Sequence, residues 1–327
     1  MDVFISHESA LQYWRLHGKV EVKHGRQLRR KNAPAFPPKT STLLQRNIRG
    51  LSFPLDVTVS DSNSRRQSQV IRFHVFSGLL SDGSFIKAGE GILMSSPEFC
   101  FLQMADKLSL IKLIQLGFEL CGTYSLPVKD PDSTGQSNVG EVIYNRTPLS
   151  NVKKLSGFAN QMPGVHGRKL ALRALQYITD GSGSPMETIL TMLLTLPYKL
   201  GGYGFRLPKL NSRIIPAKTI KRSSGKRYYS CDLFWPDADL AVEYDSDQHH
   251  TGAERIASDS KRRNTLSSAG ILIITVTSQQ IHDREEFEKV ARLIAVNLDK
   301  PLRYRDPGFS TTQMALRDTL LAYWLSE

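Results

Sequence analysis

"CDLFWPDADLAVEYDSDQHH", residues 231–250, is the stretch on which the reading of this chain turns. It holds two short apolar runs, "CDLFW" and "DLAVEYD", on either side of the turn signal Pro236-Asp237, and reads as two strands of a hairpin. Yet Asp232, Glu243 and Asp245 stand where a strand favours Val, Ile or an aromatic residue, and a buried charge costs stability. Taking Asp237-Ala238 as a two-residue loop sets Asp232 directly opposite Glu243. The side-chain period of two then puts Glu243 and Asp245 on one face, and Leu240, Val242 and Tyr244 on the other. Opposed Cβ atoms lie about 4.5–5.5 Å apart, and like charges at that distance destabilise a sheet. Three carboxylates on one face therefore ask for a cation. Mg²⁺ suits them, because it takes carboxylate oxygens at about 2.0–2.1 Å and fills its other positions with water and substrate phosphate; Mn²⁺ would substitute for it. A metal so held lowers the pKa of a bound water and offsets charge developing on a scissile phosphate. The competing reading is a solvated acidic strand end with Asp232 on an edge strand. It accounts poorly for an acid followed by Leu233 and Phe234 opposite one flanked by Val242 and Tyr244.

Working outward, "LSNVKKLSGFANQ" and "GRKLALRALQYITDG" read as helices, and "SPMETILTMLLTL" as a third with Ile189, Met192, Leu193 and Leu196 on its inner face. The period then becomes that of strands through "GFRLPKLNSRIIP", "RYYSCDLFW" and "DLAVEYD". A helix through "GAERIASDSKRRNTLSSAG" follows, then "ILIITV", apolar enough for a central strand covered on both faces, and a helix over residues 278–297. The order is α, three β, α, β, α. "DPGFSTTQMALRDTLLAYWLSE" is a C-terminal helix whose docking place the pattern does not specify.

The first part of the chain has a different character. Ser6 caps a helix that stops at Gly18, residues 51–94 alternate in short apolar runs with Asp82-Gly83 as a hairpin turn, and residues 96–122 are helical. A small antiparallel sheet with helices is expected. In "PVKDPDSTGQSNVGE", residues 127–141, apolar periodicity lapses. The division is thus a basic α+β domain over residues 1–126, a linker over 127–148, an α/β domain over 149–300 and a helical tail over 301–327.

Lys and Arg total 43 against 31 Asp and Glu, a net charge of +12, which favours a polyanionic partner such as nucleic acid. One basic cluster contains Arg29, Arg30 and Lys31; a second, at residues 218–227, contains Lys221, Arg222, Lys226 and Arg227 beside Tyr228 and Tyr229, and could track a DNA backbone while an aromatic ring stacks. Lys261, Arg262 and Arg263 would bind phosphate or cover a helix face. No apolar run reaches the roughly 18 residues that span a bilayer, and no secretory leader is evident, so a cytoplasmic protein without membrane contact is expected. The three cysteines are far apart and suggest neither a disulfide framework nor a zinc knuckle. No nucleotide-binding loop of the GxxxxGK[ST] type occurs.

Asp232, ten residues, Glu243, one residue, Asp245, after a helix carrying Glu187 and in the order αβββαβ, resembles the PD-(D/E)XK nuclease superfamily. More narrowly it is similar to the very-short-patch-repair-endonuclease-like domain of unknown function, with a weaker likeness of "SHESALQ" and "SSPEFCFLQMADKL" to abortive-infection antitoxins. The likeness covers roughly residues 165–297, through "SPMETILTMLL", "DLFWPDADLAVEYDSDQHH" and "DSKRRNTLSSAGILIITVTSQQI". It implies a restriction-endonuclease-like fold, a mixed sheet flanked by helices. It also implies a Mg²⁺-dependent endonuclease acting on DNA, in phage defence or mobile-element biology, with Asp232, Glu243 and Glu187 holding the metal. His249 would move protons, and Asp259 and Arg262 would form a polar pair. Three departures qualify it. Asp245 stands where the motif usually ends in Lys, Ser246 replaces the usual Gly, and the doubled His249-His250 leaves open which imidazole faces the site. Glu187 also fits a capping box begun by Ser184. The alternatives are a catalytically inactive DNA-binding regulator or antitoxin-like protein on the same fold, and a ribonuclease. Whether a guide or protein partner is needed is not legible.

Overall fold

The computed structural model describes residues 2–18, 33–34, 51–61, 69–128, 141–214, 228–245, 253–302 and 308–322, the side chains of 253–259 excepted. The fold is α+β, with two mixed sheets and, among the described residues, ten α-helices. The chain divides into two units, residues 1–176 and 177–327. No described helix is long and apolar enough to cross a membrane.

In the first unit the strands are β1 (Val3–Ile5), β2 (Leu55–Val59), β3 (Ile71–Val75), β4 (Phe85–Gly89) and β5 (Ile92–Ser95), in the order β3-β2-β1-β5-β4. The small antiparallel sheet expected over residues 51–94 is instead mixed. The three-residue β1 enters at its centre, antiparallel to β2 and parallel to β5, and β2 runs parallel to β3. Asp82-Gly83 turns the chain but joins no hairpin, because β3 and β4 lie at opposite edges. Five helices belong to this unit: α1 (His7–His17), α2 (Pro97–Met104), α3 (Leu110–Cys121), α4 (Val152–Asn160) and α5 (Arg168–Leu175). The single helical stretch expected over 96–122 breaks in two, each part started by a serine whose hydroxyl accepts an N–H: Ser96 from Phe99 and Ser109 from Lys112.

The division falls after Gln176, not within residues 127–148. The reason is packing. Helix α4 lies on α2, and α5 on α3, with the Phe99 and Phe158 rings 5.7 Å apart. Residues 129–140 lie outside the described part, and beyond them Ile143 bridges Ser125.

The second unit carries α6 (Pro185–Thr195), β6 (Lys209–Ile214), β7 (Tyr229–Trp235), β8 (Leu240–Asp245), α7 (Ala253–Ser268), β9 (Leu272–Thr277), α8 (Ser278–His282), α9 (Arg284–Asn297) and α10 (Phe309–Leu321). The order α-β-β-β-α-β-α is the one read from the sequence. The sheet runs β6-β7-β8-β9, antiparallel except for the parallel pair β8–β9. "ILIITV" lies at the edge of this sheet, not its centre: Ile274 and Val276 are buried, whereas Leu272 and Thr275 are exposed. Helix α10 is no tail. It packs on α6 and on the short 3-10 turn Tyr198–Leu200, burying Leu316, Leu320 and Leu321.

Candidate active site

The hairpin β7–β8 has the register expected from the sequence, with Leu233 opposite Val242 and Trp235 opposite Leu240. Its loop is longer than two residues. Residues 236–239 turn the chain, the Ala238 N–H donates to the Trp235 carbonyl, and Asp239 adopts φ +45°. One step further the β6–β7 ladder is interrupted. Leu210 pairs with Leu233 and Ser212 with Cys231, while Asn211, between them, takes φ +45°, a conformation Asn tolerates better than most residues. Asp232 is the residue of β7 at this interruption.

Helix α6 delivers Glu187 to the same place. Ser184 is its N-cap, accepting the Glu187 N–H at 3.1 Å, and Pro185 opens the helix. Glu187 does not close the capping box on Ser184. Its Oε2 accepts the Gly183 N–H at 2.8 Å and Asn211 Nδ2 at 2.6 Å, which turns the carboxylate toward the sheet. A Cβ on Gly183 would lie 3.0 Å from Glu187 Oε1, so glycine permits the close approach. Asn211 also donates to the Gly181 carbonyl, so both its amide hydrogens hold this corner together. Sequence reasoning missed Asn211; its signal is an Asn inside an otherwise regular strand.

Asp232 Oδ2 accepts the Tyr244 N–H at 2.8 Å. Burial raises the Asp232 carboxyl above its ordinary range. Glu187 is raised further, to about 7, first by burial and then by the charge of Asp232, against the hydrogen bonds from Gly183 and Asn211. The two acids therefore act on each other, and the Arg262 charge offsets part of the rise at Asp232.

Glu243 has a different partner. Arg262 of α7 grips it with Nη1 to Oε2 at 3.2 Å and Nη2 to Oε1 at 2.5 Å, and Nη2 also donates to the Ser230 carbonyl. The Cys231 thiol beside this pair is pushed up to about 12, by burial and then by Glu243. Both oxygens of Glu243 are thus taken by a cation of the chain itself, and the acids left without a direct ion pair among the described residues are Glu187 and Asp232, the latter feeling Arg262 at a distance. Arg262, read from the sequence as a phosphate ligand, is committed to Glu243. Lys261 and Arg263 are exposed on α7, and Asp245 closes β8 in register with Thr277. His249, Lys221, Arg222, Lys226, Arg227, Arg29, Arg30 and Lys31 lie outside the described residues, as does the Asp259 side chain.

Among the described residues no three His, Cys, Asp or Glu side chains gather closely enough to chelate a metal ion. Glu187 and Asp232 nonetheless fit Mg²⁺, which is commonly bound by one or two carboxylates and completed by water and phosphate. Each keeps one oxygen, Oε1 and Oδ1, without a hydrogen bond among the described residues, and their mutual repulsion is what a divalent ion would remove. No protein-family model, curated protein or solved structure matches the chain.

Proposed function

We propose that the second unit is a Mg²⁺-dependent endonuclease that hydrolyses DNA phosphodiester bonds on a PD-(D/E)XK-like scaffold. The observation that carries this reading is the pair Glu187, buried, and Asp232, half-buried, two carboxylates from a helix and a strand whose charges act on each other and are only partly offset by Arg262. A Mg²⁺ ion held by them would supply Lewis-acid activation of water and neutralise phosphate charge. Glu187, raised by burial and by Asp232, would be driven to its ionised form by the ion it holds, so binding of Mg²⁺ would release a proton near neutral pH. Gly183 and Asn211 fix its position, and the Tyr244 amide fixes Asp232. The exposed Lys261 and Arg263, with the basic clusters at residues 26–31 and 218–227, would hold the phosphate backbone without reading sequence.

A second reading, a DNA-binding regulator without catalysis, is favoured by one feature. The Glu243–Arg262 ion pair takes up an acid the motif would use.

The test is cleavage of plasmid, single-stranded DNA and RNA with Mg²⁺ or Mn²⁺, beside EDTA and the folded variants Asp232→Ala and Glu187→Gln. Metal-dependent cutting of DNA that falls at least about a hundredfold in both variants supports the nuclease. DNA binding with a steep salt dependence and no cutting moves the conclusion to the regulator. Preference for RNA makes it a ribonuclease.

A further inference from the structure

The first unit carries a second polar constellation that the chemistry above does not use. The parallel register of β2 and β3 pairs Asp56 with Arg72 and Thr58 with His74, so four polar side chains share one face of a sheet. The start of α1 rests on that face. Ser9 donates its N–H and hydroxyl to Asp56 Oδ2, each at 3.3 Å. Asp56 Oδ1 receives His74 Nε2 at 2.7 Å and Arg72 Nη1 at 3.2 Å. Across from Asp56, the His74 ring stacks on that of His7, with centroids 3.6 Å apart and planes 18° from parallel. His7, Thr58, Arg72 and His74, with Lys107, line one part of a cavity of about 840 Å³.

Two features of this cavity point to a polar ligand. Thr58 is fully buried, yet its hydroxyl has no hydrogen-bond partner among the described residues, an arrangement that costs stability unless something else meets it. Basic side chains also gather around His7: Arg72 and His74 on Asp56, and Lys107 and His166 on Asp106, which lines the same cavity. Burial lowers the His7 pKa to about 3, and His74, Lys107 and Arg72 add to that effect while Asp56 alone opposes it. A phosphate here would accept hydrogen bonds from the Arg72 guanidinium and the imidazoles, and the charge-assisted bond to the guanidinium is the strong one. The cavity is too large for phosphate alone and falls in the range of small-molecule sites. Its apolar wall includes Met162 and Phe76, the latter edge-on to Phe99 at 5.7 Å, surfaces on which a base can lie.

We propose that this cavity binds a nucleoside phosphate, its phosphate held by Arg72, His74 and Thr58 and its base against the wall of Phe76 and Met162. The ligand is either a free nucleotide or the 5′-phosphorylated end of a DNA strand. Because every residue invoked lies in the first unit, the result is independent of whether the second unit cuts DNA.

The experiment is calorimetric titration of the full chain with 5′-mononucleotides, their unphosphorylated nucleosides, inorganic phosphate, and a short oligonucleotide carrying either a 5′-phosphate or a 5′-hydroxyl. The Arg72 side chain is 57% exposed, so Arg72→Gln leaves the core intact. The nucleotides should bind, with affinity about tenfold or more above that of the nucleosides and of inorganic phosphate, and Arg72→Gln should lose about tenfold or more. Imidazole NMR should show the His7 pKa rising when the site is filled. Tighter binding of the 5′-phosphorylated strand than of free nucleotide assigns the DNA end; the reverse assigns the free nucleotide. The proposal is overturned if no nucleotide binds at millimolar concentration, if nucleosides or inorganic phosphate bind as well, or if Arg72→Gln or the His7 pKa is unchanged.

Discussion

Glu187 shows most directly what it costs to keep two acids side by side away from water. Its carboxyl is raised from 4.5 to about 7, so the folded chain binds this proton more tightly than the unfolded chain does. The stabilisation is complete below about pH 4.5 and is lost as pH rises to about 7; each unit of difference is worth about 1.4 kcal/mol. Raising the pH from 5 to 8 should lower the urea midpoint of the second unit, while His7 acts in the opposite sense on the first, and Glu187→Gln should remove about 2–3 kcal/mol of the second unit's loss. Mg²⁺ should restore the wild type at pH 8 and act much less on Glu187→Gln, which thermal denaturation with and without EDTA would measure. Arg262 poses the complementary problem. Its replacement by Ala leaves Glu243, whose side chain is only 15% exposed, without its counter-ion, at an expected cost of about 2–4 kcal/mol. In a double-mutant cycle with Glu243→Gln the combined loss should be smaller than the sum.

The elements around the site depend on contacts between residues far apart in sequence. The dock of α10 is formed at Gly201, where φ is +88° and a Cβ would stand 2.5 Å from the Thr312 carbonyl oxygen and 2.9 Å from Leu316 Cβ. Gly201→Ala is therefore both strained and obstructed, and we expect it to destabilise the second unit by about 3 kcal/mol or more in urea unfolding. Leu316→Ala, which empties the same contact, should cost about 2–4 kcal/mol. An amphipathic pattern in residues 309–321 indicates that one face is buried but carries no information about the surface that covers it. The same limit explains β9: "ILIITV" is apolar enough for either position, and the sheet order that puts it at an edge is set by pairing partners. β1 escapes sequence reasoning because three residues are too few to show a period.

The division of the chain follows from where helices find partners. Residues 129–140 have the composition of a linker, yet α4 and α5, which follow it, cover α2 and α3 of the first unit. A fragment of residues 1–176 should fold cooperatively with native near-ultraviolet circular dichroism. A fragment of residues 1–126 should not, because it uncovers Phe99 and the helices α2 and α3. A native-like 1–126 fragment would refute this account of the boundary. The net charge of +12 belongs to the whole chain and bears on its partners, not its fold.

Local regularities were enough to read the αβββαβ order, the hairpin register of residues 233–242 and the placing of acids inside strands. Period, turn residues and apolar runs are properties of neighbouring positions, and the sequence by itself determines them. Which acids meet was decided only in three dimensions. Glu187 reaches Asp232 because Asn211 interrupts a ladder and Gly183 has no side chain, while Arg262, from a helix after the strand, claims Glu243. Charges pair by distance in space, and that distance exists only once helices and sheet have packed.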